Sequence, residues 1–116
     1  MTIKNLDAAD VARLLEEDAI VLIDVREPSE HAAERIHGAL LFPLSTFDPA
    51  ALPDSGGRAV VFHCAAGVRS AKAVAACQSA GLLHDSHLKG GIQAWKAAGL
   101  PTVTVDPATG RTRDPR

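Results

Sequence analysis

The sequence predicts an α/β fold in three layers, a central and mostly parallel sheet with helices on both faces. Three observations predict it. Two short apolar runs rich in β-branched residues, 19–23 and 59–63, show no polar alternation, which marks strands buried on both faces. Segments of helical spacing or helix-favouring composition separate such runs, and that alternation produces a parallel sheet. The apolar share of the 116 residues is 47 % but the aromatic share only 3 %, so the core is built of Val, Leu, Ile and much Ala, small enough for helices to lie close on a sheet. A chain of this length fits one domain, here residues 1–102, with a polar tail beyond.

The elements follow in order. Asp7 is the N-cap of a helix over residues 8–17, with Val11, Leu14 and Leu15 at helical spacing. Residues 19–23 form the first buried strand. Pro28 and Ser29 open a short helix that runs to Ala33. Residues 38–42 form a strand stopped by Pro43, residues 45–52 a short helical turn, and residues 53–57 a loop of Pro, Asp, Ser and Gly. The second half repeats the pattern. Residues 59–63 form a strand and residues 70–80 an Ala-rich helix closed by Gly81. Residues 85–88 are a last short strand. Gly90-Gly91 then turns the chain into a helix over residues 92–98, ended by Gly99 and Pro101. Val103-Thr104-Val105 can add an edge strand, but residues 103–116 as a whole are polar and turn-rich, and the expectation is a mobile tail.

Composition excludes several classes. A net charge of −2 supplies no basic surface for nucleic acid. The two cysteines, Cys64 and Cys77, make no disulfide framework, and no Cys/His spacing suits a metal. The longest apolar run falls short of the ~18–20 residues of a membrane helix, and no signal core follows Met1. The expectation is a soluble, cytoplasmic protein of a reducing compartment.

The chemistry concentrates in Val60-Val61-Phe62-His63-Cys64-Ala65-Ala66-Gly67-Val68-Arg69-Ser70. A buried strand ends, a cysteine follows at once, the chain turns, and a helix begins. Ligands of open α/β sheets bind at such carboxyl ends. The amides of Ala65, Ala66, Gly67, Val68, Arg69 and Ser70, with the positive end of the helix, make a nest that favours a thiolate on Cys64. Such surroundings lower a thiol pKa from ~8.5 into the range ~3.5–7.5. Arg69 adds a permanent cation with forked donors for an incoming anion. Alone, Cys64 would pass as a small hydrophobe closing a core strand; the turn, the Arg and the helix start together favour a nucleophile.

Four segments in order resemble the rhodanese family. They are Leu22-Ile23-Asp24-Val25-Arg26-Glu27-Pro28-Ser29-Glu30-His31, Ile36-His37-Gly38-Ala39, Cys64-Ala65-Ala66-Gly67-Val68-Arg69-Ser70, and Gly90-Gly91-Ile92-Gln93-Ala94-Trp95. The likeness runs from about Asp7 to Pro101 and is nearest to single-domain bacterial rhodaneses. It implies a rhodanese-like three-layer fold and sulfur transfer without a cofactor. Cys64 would take a sulfane sulfur from an anionic donor such as thiosulfate, become a persulfide, and pass the sulfur to cyanide, a thiol or a protein acceptor. The residues of the turn, Ala65 to Ser70, would cradle the anion, and Arg69 would recognise the donor's sulfonate end. Thiolate attack on a sulfur–sulfur bond needs no general base once the thiol is ionised, because sulfite leaves as an anion. Cysteine-dependent phosphatases also resemble this turn but place one more residue between Cys and Arg. The alternatives are therefore a thiolate-dependent phosphatase or arsenate reductase, and a non-enzymatic sulfur-relay or binding module.

Other polar residues take plainer roles. Asp24 and Arg26 are expected to brace the site as a buried ion pair. The family usually has His-Ile-Pro before Gly-Ala, and Arg35-Ile36-His37 departs from it, which leaves His37 a loop histidine. Cys77 is a packed helix residue or a resolving thiol for Cys64. His84 and His87 read as ordinary loop and strand residues, Trp95 as an anchor for the last helix, and Arg111, Arg113 and Arg116 as solvated charge.

Overall fold

A computed structural model describes residues 2–115. Asp7 does cap the first helix, α1 (Ala8–Glu16), accepting the Asp10 amide at 2.8 Å. The first apolar run becomes β2 (Ile20–Asp24), buried throughout, and the second β5 (Ala59–His63). Between them lie α2 (Pro28–Ala33) and the two-residue strands β3 (Glu34–Arg35) and β4 (Leu40–Leu41). After β5 come α3 (Val68–Ser79), β6 (Ser86–Leu88), α4 (Gly91–Ala97), β7 (Val103–Val105) and β8 (Thr112–Arg113). A strand the sequence pattern did not reveal, β1 (Lys4–Leu6), opens the chain.

The main sheet has five strands in the order β1-β6-β5-β2-β4, all parallel, so β5 runs through its centre. Its two faces carry separate cores. Ile20, Leu22 and Val61 point to one, where Ala8 and Val11 of α1 and Ile92 and Trp95 of α4 cover them. Val21, Ile23, Val60 and Phe62 point to the other, under Ala73, Val74 and Cys77 of α3. That strict alternation along β2 and β5 is the period of two of an extended chain. It confirms the three layers that the sequence predicts.

Several details differ from the sequence expectation. Residues 45–52 do not make one helical turn. Two 3-10 turns, Leu44–Thr46 and Pro49–Ala51, replace it, because Pro49 has no N–H to carry a hydrogen-bonded helix forward. The strand expected over residues 38–42 shrinks to β4. The helix after Cys64 begins two residues early, at Val68, because Gly67 turns the chain straight into it from φ +103°. Residues 103–105 and 112–113 form β7 and β8, joined by a turn: β7 lies antiparallel between β3 and β8, and Val103 is buried. Among the described residues no helix is long and apolar enough to cross a membrane.

Candidate active site

Cys64 is the first residue past β5, at the carboxyl edge of the sheet's central strand. The peptides that follow it are held from outside. Gly90-Gly91 brings the start of α4 against the turn, where the Ile92 amide donates to the Cys64 carbonyl at 2.9 Å and the Gln93 amide to the Ala65 carbonyl at 3.1 Å. A trans peptide points its C=O and N–H in opposite directions. Fixing the Ala65 carbonyl outward therefore turns the Ala66 N–H inward, toward the sulfur. A side chain at Gly91 would forbid this docking, since a Cβ there would lie 2.3 Å from the Cys64 carbonyl oxygen.

The sulfur accepts the Gly67 amide at 3.0 Å and the Ser70 amide at 3.4 Å, and its S–H faces the Ser70 hydroxyl at 3.6 Å. Burial pushes the Cys64 thiol up. The Ser70 hydroxyl and the amides of Ser70, Gly67 and Ala66 outweigh it, and the net shift is downward. Of the turn's amides, those of Ala66, Gly67 and Ser70 thus face the sulfur among the described residues. The Val68 and Arg69 amides lie in the first turn of α3, where helix geometry leaves N–H groups without intrahelical partners. Cys64 is only 1 % exposed, while Ala66 and Val68 on the rim are open to solvent.

Arg69 does not stand free. Its guanidinium makes a two-pronged contact with Glu30 of α2, at 2.6 and 3.0 Å. The Arg69 hydrogen bonds are the main reason the Glu30 carboxyl drops to about 2, and the same pairing raises Arg69. Glu30 also accepts the Glu27 amide at 3.0 Å and so closes the first turn of α2. No pattern in the sequence singled out Glu30 beyond its place in the first family-like segment.

Asp24 and Arg26 do pair, at 2.8 Å, both buried, and Arg26 reaches on to the Glu34 carbonyl at 2.7 Å. Asp24 ends β2 in register with His63, the last residue of β5. His63 is buried, its Nδ1 3.2 Å from the Cys64 carbonyl, and burial pushes its pKa down. Ser70 and His87 form a second arm: the hydroxyl lies 2.8 Å from His87 Nδ1, and His87 Nε2 lies 2.7 Å from Asn5 Oδ1. His87 was assigned no part by the sequence, and β1, which carries Asn5, was missed. The one available signal was a histidine in a strand next to the Cys64 strand. Cys77 is fully buried in α3, and burial raises its thiol. His37 sits at the surface beside Asp114, and Trp95 Nε1 donates to the Pro101 carbonyl at 2.8 Å.

Comparison with known proteins gives a consistent picture. The pattern of the family described as "Rhodanese-like domain" matches residues 7–98. An uncharacterised Synechocystis protein is 45 % identical over 91 residues, covering 78 % of this chain and 51 % of that one. A sulfurtransferase of Allochromatium vinosum is 32 % identical over 105 residues, covering 90 % of this chain and 98 % of that one. The crystal structure of a thiosulfate sulfurtransferase from Pseudomonas aeruginosa superposes with a TM-score of 0.73 at 30 % identity, over 86 % of this chain and 19 % of that one. The chain thus spans about half the length of the Synechocystis protein and less of the Pseudomonas enzyme.

Proposed function

The chain belongs to the family of rhodanese-like domains, and from that premise we propose that it is a sulfurtransferase working through a persulfide on Cys64. The Cys64 thiolate attacks the sulfane sulfur of an anionic donor such as thiosulfate. The donor's S–S bond breaks, sulfite departs with the electron pair, and a Cys64 persulfide remains. Cyanide, a thiol or a protein acceptor then takes the outer sulfur and returns the thiolate. No electrons are exchanged with an outside partner, and no cofactor enters.

One observation carries this reading: the Gly67 and Ser70 amides converge on the Cys64 sulfur at 3.0 and 3.4 Å. Donors aimed at one sulfur favour the anion on it. In this proposal Ala65, Ala66, Gly67, Val68 and Ser70 line the anion cradle, the free Val68 and Arg69 amides meet the donor's oxygens, and Asp24 with Arg26 braces the strand end. The ring has four residues between Cys64 and Arg69, which the resemblance to the rhodanese family marks as the size for one sulfur atom and not for a tetrahedral phosphate.

A second reading is favoured by a separate observation. Arg69, the cation an anionic donor would seek, is already engaged by Glu30. A relay that takes sulfur from another protein's persulfide needs no free cation. Incubation with thiosulfate and cyanide separates the two. Thiocyanate from the wild type and none from Cys64→Ser supports the enzyme. One extra sulfur on Cys64 by intact mass after mixing with a persulfide-bearing protein, without thiosulfate turnover, supports the relay. Equal thiocyanate from both proteins overturns the assignment to Cys64.

A further inference from the structure

The Ser70 hydroxyl has one hydrogen and three acceptors within reach: the Cys64 sulfur at 3.6 Å, the Gly67 carbonyl at 3.3 Å and His87 Nδ1 at 2.8 Å. Which acceptor receives it is decided on the far side of the imidazole. Asn5 Oδ1 lies 2.7 Å from His87 Nε2, and a carbonyl oxygen only accepts, so Nε2 carries the hydrogen. In a neutral ring Nδ1 is then bare, and the Ser70 O–H points at it. What remains for Cys64 is a Ser70 lone pair, which accepts the S–H. The result is an unbroken chain: S–H to Ser70 Oγ, Ser70 O–H to His87 Nδ1, and His87 Nε2–H to Asn5.

We infer that His87 is a positioning residue for Cys64: it takes up the thiol proton through Ser70 and turns the Ser70 hydroxyl toward the thiolate left behind. The inference rests on the reading of Cys64 as the nucleophile. The transfer balances. The S–H bond breaks as a new O–H forms on Ser70, while the old Ser70 O–H breaks as an N–H forms on His87 Nδ1. Ser70 ends with the hydrogen count it began with, now directed at sulfur, and the charges created are a thiolate and an imidazolium. A sulfur that is 1 % exposed has little water to receive its proton, whereas His87 opens toward the exposed Asn5 on the edge strand β1.

The surroundings favour this use. His87 is 5 % exposed and packs against the turn, its Cε1 3.8 Å from where a Cβ on Gly67 would sit. Its hydrogen-bond partners, Ser70 from α3 and Asn5 from β1, carry no charge, and Cys64 is the titratable group at the end of the chain. Burial holds the imidazole below its usual range, which keeps Nδ1 bare while the thiol is still protonated and opposes a lone imidazolium, so the transferred proton is held there by the thiolate formed with it. The two groups then titrate as a coupled pair.

Two measurements test it, and neither uses a sulfur donor. The first is the pH profile of Cys64 alkylation by iodoacetamide, with Cys64→Ser as the background for Cys77. In His87→Gln, which can still hydrogen-bond Ser70 but cannot hold a proton, the profile shifts upward by about one unit, a tenfold loss of thiolate below the midpoint. A profile that coincides with the wild type overturns the inference. The second follows the His87 ring by NMR in the wild type and in Cys64→Ser. Its protonation moves to lower pH when the thiolate is lost; identical titrations overturn the inference, even where His87→Gln fails to fold. If sulfur transfer through Cys64 fails but both shifts appear, the proton chain stands and the proposed function falls. If sulfur transfer is present and neither shift appears, only the proton chain falls.

Discussion

In the proposed reaction Arg69 and Glu30 set the charge that an arriving donor meets. The pair is about one-third exposed, so its strength is that of a screened surface contact, roughly 0.2–1 kcal/mol. Glu30→Gln releases the guanidinium without removing a hydrogen-bonding side chain. The expected outcome is a KM for thiosulfate lower by up to about fivefold, with kcat little changed, read from initial rates over a thiosulfate series. An unchanged KM would mean that Arg69 braces the turn and does not meet the donor. At this scale Cys64 was legible in the sequence, because strand end, turn and helix start are neighbours along the chain. Glu30 and His87 were not, since they reach the site from 39 and 17 residues away through tertiary contacts.

At the scale of elements, α4 acts as a clamp. The Ile92 and Gln93 amides of its first turn grip the carbonyls of Cys64 and Ala65, and the grip requires Gly91 to have no side chain. Gly91→Ala is expected to cost about 1–3 kcal/mol, the usual price of overpacking against backbone, and to raise the Cys64 pKa. Thermal unfolding and thiol alkylation at neutral pH measure the two effects. The hairpin of β7 and β8 bears on where the domain ends. Val103 is buried and β7 pairs with β3, whereas Thr112 and Arg113 are exposed. We propose that the folded unit ends at Val105. Truncation after residue 105 is expected to leave Tm nearly unchanged and truncation after residue 102 to lower it; equal losses would place the boundary elsewhere. Elements with long apolar runs were legible from the start. The strands β1, β3 and β8 were not, because two or three mostly polar residues carry no periodicity, and only their partners make them strands.

For the whole molecule, acid stability follows from its paired carboxylates. Glu30 falls to about 2, held chiefly by Arg69. Glu34 is lowered too, first by the Thr102 hydroxyl, against the opposing effect of burial, and then by Lys96. A carboxylate with a depressed folded pKa binds fewer protons folded than unfolded. Its stabilisation is therefore complete above the ordinary value of 4.5 and drains away as pH falls toward about 2. Urea unfolding of Glu30→Gln at stepped pH is expected to show a shallower loss through that window than the wild type; parallel curves would refute the coupling. The three-layer plan itself was legible, because two runs without polar alternation require cover on both faces. The strand order was not, since nothing in a short strand states its neighbour.

The depth of Cys64 has one more consequence. In the proposed persulfide an S–S bond of about 2.05 Å carries the outer sulfur beyond the first. In that proposed state the anchoring atom carries no free thiolate and its cargo meets an oxidant first, so a domain built this way would lose its passenger more readily than its own sulfur.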